Sequence, residues 1–324
     1  MFSQILKSLR TKKRTLKMTN ETKPASRNAL YRISQVMGFL LGARFFVAIL
    51  LTFALYVSTF FLFNREETFS SFVFDYKVHA IIFCSVLSIL AGGIINRFYD
   101  KEKDQLVKPF RSRLQNFLKE KYFLTAYVLL NALSLSLAFF VSYRVFVFFL
   151  IYQFLMWFYS HKLSKIVAVN NFTFVALTLY PFFGMLIYYQ TFSLKILFLA
   201  IFLFLMLFII DIIKDTLTKN ADKMFGYDTI ANRFGFQNTR SILLVLLIIT
   251  LIVSLILSIG IGFKNIIAWY FLLTVSVILG TVYMLFRNQK NDKFKALNLL
   301  RLWIFFGILA MLLDGIYHKY PWLI

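Results

Sequence analysis

The chain has 324 residues, of which 60% are hydrophobic, 19% aromatic and only 15% charged, with a mean hydropathy of +0.74; a soluble domain carries roughly 25% charged residues, so this composition excludes a soluble enzyme and fits a polytopic membrane protein. The formal net charge of +22 does not mark a nucleic-acid binder, because no basic stretch is interleaved with aromatics on a soluble surface and basic cytoplasmic loops are the usual outcome of membrane topogenesis. Cys84 is the only cysteine, which excludes an intrachain disulfide or a cysteine metal cluster and leaves it the role of a small buried hydrophobe.

From the amino terminus, residues 1–35 form a basic arm with nine Lys or Arg against the single acid Glu21. The first strong apolar run begins only near Val36 and is long enough to span a bilayer, so the arm reads as a retained cytoplasmic segment and not as a cleaved signal peptide. Apolar runs then recur near 36–63, 78–98, 122–143, 145–160, 166–189, 194–213, 241–262, 265–286 and 299–317. They predict one all-α domain over 36–324, a polytopic transmembrane helical bundle of about nine helices. The third and fourth runs are separated only by Ser142-Tyr143-Arg144 and are expected to form a tight hairpin. With the amino terminus in the cytoplasm, the loops near 97–121, 161–165, 211–240 and 287–298 also fall inside and hold nearly all remaining Lys and Arg. That bias follows the positive-inside rule and gives the expected orientation in the cell's inner membrane.

Two acidic stretches stand at the cytoplasmic ends of the second and sixth runs. In the first, Asn96, Asp100 and Asp104 are four residues apart and share one helix face. In the second, Asp211 and Asp215 share a face and are followed by Asp222 and Gly226. The two stretches therefore end on one side of the membrane, on different helices, and facing carboxylates there attract divalent cations. Mg²⁺ takes oxygen ligands and is commonly shared between one or two carboxylates and a substrate phosphate. Lys108, Arg111, Lys165 and Lys214 lie on the same side, where they can grip the phosphate oxygens left free by the metal. Arg44, inside the first run, either reaches that phosphate or snorkels to the boundary. No metal-ligand spacing links His79, His161 and His318.

These residues carry a resemblance to the UbiA superfamily of intramembrane prenyltransferases, from about Arg44 to the carboxyl terminus. Asn96, Asp100 and Asp104 match the family's NDxxDxxxD motif, with Arg97 in place of its second acid. Lys214, Asp215, Asp222, Gly226 and Thr229 are similar to the KD…D…GD…G…T form of the glycerol-phosphate-type branch, with Thr218 in place of an acid and Ala231 of a proline. Tyr159-Ser160-His161-Lys162-Leu163-Ser164-Lys165, with Asn171, partly matches the YSxxLK…GN stretch.

The resemblance implies transfer of a polyprenyl group from a prenyl diphosphate to a membrane-associated acceptor, either an aromatic quinone precursor or a glycerol-phosphate-type lipid. It further implies Mg²⁺ held by Asn96, Asp100 and Asp104 on one side and by Asp211, Asp215 and Asp222 on the other, with Asp100, Asp104 and Asp215 central to catalysis. Aromatic faces such as Tyr159, Phe98 or Tyr99 would stabilise the allylic cation by about 0.5–2 kcal/mol each. Arg97 projects about 100° from Asn96 around the helix, so its guanidinium need not enter the metal cluster and could instead contact the diphosphate rim. Two alternatives remain at this point: a transporter, whose intramembrane acids would bind a coupling ion, and an inactive member of the same fold.

Overall fold

The computed structural model describes residues 29–63, 68–287 and 289–320. In chain order its helices are α1 (Ala29–Gly42), α2 (Phe45–Ser58, prolonged by a π turn over Thr59–Phe63), the short α3 (Phe69–Val73), α4 (Tyr76–Tyr99), α5 (Lys101–Val107), α6 (Pro109–Gln115), α7 (Glu120–Val141), α8 (Tyr143–His161), α9 (Val169–Tyr189), α10 (Leu194–Met224), α11 (Ile230–Arg233), α12 (Gly235–Ile261), α13 (Ile266–Arg287) and α14 (Lys290–Lys319). Among the described residues there is no strand, and nine helical segments are long and apolar enough to cross a membrane. Most of the basic arm, residues 1–28, lies outside the described residues, and its last part, 29–35, is already helical.

Polar residues mark the helix starts. Asp75 accepts from the amides of Lys77 and Val78 at 3.0 and 3.3 Å to open α4, and Ser193 accepts from the amide of Ile196 at 3.3 Å to open α10. Each such cap is worth about 1 kcal/mol. The expected hairpin between the third and fourth runs turns on one extended residue, Ser142 (φ −173°, ψ 158°), which caps α8 through the Val145 amide at 3.2 Å.

Three boundaries differ from the hydropathy reading, and each bears on function. The first run is two helices and not one, because the chain breaks before α2 where Arg44 takes the left-handed conformation (φ 55°, ψ 38°). That conformation costs a non-glycine residue roughly 1–2 kcal/mol. Two contacts from elsewhere hold it. Gly93 of α4 lies so close that an added Cβ would meet the Ala43 carbonyl oxygen at 2.7 Å, and Arg111 of α6 donates to the Leu41 carbonyl. Second, α10 does not stop near 213 but runs on to Met224, so Asp211, Asp215 and Asp222 ride on one continuous helix. Third, α14 begins at Lys290, nine residues before the apolar run proper.

The bundle has two packed halves. One core is built from α2, α4, α8 and α9, around Ile82, Phe149, Tyr152 and Met185. The other is built from α10, α12, α13 and α14, around Met206, Ile209, Leu247 and Phe271. Contacts of α9 with α10 and of α2 with α14 join them. The apolar window of α4 is 67% buried and that of α10 50%, against 11% for α7. The two helices that carry the acids are thus the central members, one in each half, and α7 faces lipid. Small side chains let α7 close on α4: Ser134 Oγ donates to the Cys84 carbonyl at 3.1 Å and Ser88 and Ser134 hydroxyls lie 3.1 Å apart, as in other membrane helix pairs. Cys84 is fully buried there, its thiol donating to the Ser134 carbonyl.

Candidate active site

The first acidic stretch spans two helices, because the chain bends at Asp100 (φ −90°, ψ 6°), which ends α4 and opens α5. The four-residue register survives the bend. Backbone amides of Asp100, Asp104 and Lys108 donate to the carbonyls of Asn96, Asp100 and Asp104 at 2.9, 2.8 and 2.8 Å. Asn96 Nδ2 donates to Asp100 Oδ2 at 2.8 Å. Lys108 Nζ lies 3.0 Å from Asp104 Oδ1.

On α10, Asp211, Asp215 and Asp222 are each 3% exposed or less. Two carboxylates buried one turn apart repel, and Asn171 of α9 relieves this by donating to Asp211 Oδ2 and Asp215 Oδ2, both at 2.8 Å. Lys214 Nζ adds a short contact to Asp211 Oδ1 at 2.5 Å and a looser one to Asp215 Oδ1 at 4.0 Å. One turn on from Lys214, Thr218 Oγ1 donates to Asp222 Oδ2 at 2.6 Å. Where the family motif has an acid, this chain therefore has a hydroxyl donor to the next acid along.

Two contacts bring the stretches face to face. Lys103 Nζ from α5 lies 3.2 Å from Asp222 Oδ1. Tyr227, in the loop after α10, donates its phenol to Asp100 Oδ1 at 2.5 Å. Gly226, at φ 71°, makes the turn that presents Tyr227. Burial and the Asp100 carboxylate hold the Tyr227 phenol well above its ordinary pKa, so it stays a proton donor at neutral pH. Lys103 and Lys165 lie over its ring at 3.7 and 5.5 Å. Tyr159 is buried beneath, donating to Asn170 Oδ1 at 3.0 Å, within electrostatic reach of Asp211, Asp100, Asp215 and Arg44.

The remaining cations fall on the same end of the bundle. Burial lowers the pKa of Arg111 below its ordinary value, and Arg44 lowers it further. Burial likewise pulls Lys108 down, against the opposing pull of Asp104, with Arg44 and Arg111 adding to the decrease. Arg44, Lys108 and Arg111 thus form a mutually repelling cationic set at the rim. Lys214, read as a diphosphate grip, is engaged with its own aspartates.

Arg97 is a correction. It neither enters the cluster nor reaches the diphosphate rim: it is 5% exposed, its Nε donates to Gln115 Oε1 at 2.9 Å, and its guanidinium lies 3.8 Å over the Phe123 ring. It pegs α4 to α6 and α7. Phe98 and Tyr99 also turn elsewhere, Phe98 being 38% exposed and Tyr99 meeting His161 at 5.4 Å. Tyr227, Lys103 and Asn171 have roles that sequence reasoning did not assign. Only Asn171 carried a signal, as part of the partial YSxxLK…GN match.

Among the described residues no three carboxylate, imidazole or thiol groups converge on one point. The aspartates stand singly or in pairs, all with oxygen donors. That set fits Mg²⁺, which needs one or two carboxylates and completes its shell with water and substrate phosphate. It does not fit a metal that requires an all-protein cage.

The UbiA prenyltransferase family model matches residues 65–306. A digeranylgeranylglyceryl phosphate synthase of Thermococcus gammatolerans is 26% identical over 247 residues, covering 74% of this chain and 87% of that one. The solved structure of a digeranylgeranylglyceryl phosphate synthase superposes with a TM-score of 0.64 at 19% identity, over 87% of this chain and 99% of that one. A UbiA homologue from Archaeoglobus fulgidus bound to GPP and Mg²⁺ gives 0.61 at 15% identity, over 85% and 99%. At these identities the two structures share the fold.

Proposed function

This chain belongs to the UbiA prenyltransferase family, and on that premise we propose that it moves a polyprenyl group from a prenyl diphosphate to the hydroxyl of a glycerol-phosphate-type lipid. The observation that carries the reading is the meeting of the two acidic stretches through Tyr227–Asp100 and Lys103–Asp222. Mg²⁺, when bound, neutralises the departing diphosphate. Asn96, Asp100 and Asp104 from one half and Asp211, Asp215 and Asp222 from the other are the residues to hold it. Lys108, Arg111, Lys165 and Arg44 orient the diphosphate oxygens. The prenyl chain lies in the apolar bundle, and Tyr159 shields the allylic carbon from water. The C1–oxygen bond to diphosphate breaks, the acceptor oxygen bonds to C1, and its proton passes to a site carboxylate or to the leaving diphosphate. The acceptor class rests on the form of the second motif and on the names of the relatives.

The test is prenyl transfer by purified protein in detergent, with a panel of prenyl diphosphates against a glycerol-phosphate lipid and an aromatic acceptor. EDTA is expected to abolish turnover and Mg²⁺ to restore it. Asp100→Ala and Asp215→Ala are expected to lower kcat by at least about a hundredfold without unfolding, since each removes a ligand that stabilises developing charge. Wild-type rates in either folded variant sink the metal assignment, and turnover with the aromatic acceptor alone sinks the acceptor class.

A further inference from the structure

The end of the bundle that carries the acids has a second concentration of charge, one face round on α10. Thr216, about 100° on from Asp215, turns toward a cleft beside the first turns of α12 and α14, lined also by Phe236, Thr239, Arg240, Leu285 and Lys293. Two cations are laid into it on aromatic faces: the Arg240 guanidinium lies 3.5 Å over the Phe286 ring and Lys293 Nζ 4.5 Å over Phe236. Lys219 of α10 stands close enough to oppose the charge of Lys293. Among the described residues none of the three has a carboxylate partner. Asp292, the acid of the first turn of α14, is buried and pairs with Arg287 and Lys295 at 3.5 and 3.9 Å.

Ordinary positive-inside lysines reach out into water, whereas Arg240 and Lys293 are half-buried and held. They also sit in the first two turns of helices whose starts have no side-chain cap. A helix start favours anions and disfavours cations by about 0.3–1 kcal/mol. Repulsion between Lys293 and Lys219, and the lack of a carboxylate on Arg240, Lys219 or Lys293, share one remedy, an oxyanion beside them. Leu243 and Leu285, both buried, give it an apolar floor.

We propose that Arg240 and Lys293 bind a phosphate group at the mouth of this cleft, carried by a lipid of net negative charge or free in solution, as its bidentate and point-charge ligands. Arg supplies a planar fork and Lys a compact charge for the same oxygens. Lys219 adds charge within electrostatic reach of Lys293.

Native mass spectrometry of the full chain in detergent tests this, with phosphatidylglycerol and phosphatidylcholine of identical acyl chains as probes. One phosphatidylglycerol is expected to be retained by the wild type where phosphatidylcholine is not. The Arg240→Gln/Lys293→Gln variant is expected to need at least about tenfold more lipid for the same occupancy, while Lys121→Gln, an exposed cation at the same end, behaves as wild type. In a second arm, inorganic phosphate is added to lipid-free protein. A rise in thermal midpoint in the wild type that the double variant lacks, with no lipid retained, assigns the site to free phosphate. Should the double variant not fold, Lys293→Gln is read by the same criteria. If neither probe separates wild type from variant, or if Lys121→Gln loses as much, the cleft is a patch of generic boundary charge and the proposal fails. The readout is binding and not turnover, so its outcome is separate from the prenyl-transfer reading.

Discussion

A buried guanidinium without a carboxylate is tolerated only when its N–H groups find acceptors, and Arg97 has Gln115 and the Phe123 face for this. Arg97→Asp, which restores the acid of the family motif, is therefore expected to destabilise the fold by about 3–5 kcal/mol, because it buries an unpaired carboxylate beside the Gln115 carbonyl. A large fall in thermal midpoint in detergent checks this, and a normal midpoint with altered KM for the diphosphate would return Arg97 to the substrate. Asn171 acts in the opposite sense, on charge already present. Each of its bonds to Asp211 and Asp215 is worth about 1.5–3 kcal/mol. Asn171→Leu is expected to raise the Mg²⁺ concentration for half-maximal activity by about tenfold or more, seen in a metal titration of turnover. An unchanged metal requirement would leave Asn171 a packing residue only.

The helices show which parts of this protein are written locally. Nine spans could be read because apolar length and charged breaks are properties of adjacent residues, and the four-residue spacing of Asn96, Asp100 and Asp104 outlasted a bend that spacing alone does not foresee. The break at Arg44 could not be read. Nothing in Leu41-Gly42-Ala43-Arg44-Phe45 forbids a helix interior apart from one glycine, and the break is imposed by Gly93 and Arg111, remote in sequence. Nor did hydropathy see the last third of α10, whose Asp, Lys and Thr residues resemble a loop but are held helical by Asp–Lys and Thr–Asp pairs and by packing against α5. Tyr227 had no spacing to betray it. Gly93→Ala tests the element-level claim: its Cβ displaces the Ala43 carbonyl, moves Arg44 off the rim, and is expected to raise the KM for prenyl diphosphate several-fold with kcat little changed. Equal KM in mutant and wild type would show that Arg44 does not depend on that close approach.

For the whole molecule, shared sidedness of the acidic stretches is what makes one site possible. In a Cys84→Ser background, cysteines at Asn116 and Asn220 are expected to react with an impermeant label from one side of the membrane, and a cysteine at Lys264 only from the other. Labelling of Asn116 and Asn220 from opposite sides would dismantle the site. The length of α10 carries a further consequence. Its 31 residues extend about 46 Å, against a hydrocarbon thickness of about 30 Å, so an upright helix that starts at the far boundary carries roughly its last three turns, with Asp215 and Asp222, into the headgroup layer. Hydrophobic mismatch then becomes a control on the reaction: longer acyl chains thicken the bilayer, force the helix to tilt or draw those carboxylates toward hydrocarbon, and raise the cost of keeping them ionised. In proteoliposomes of increasing acyl length, turnover is expected to pass through a maximum and fall in the thickest membranes, so that the host bilayer, as well as the substrate supply, sets how fast this protein works.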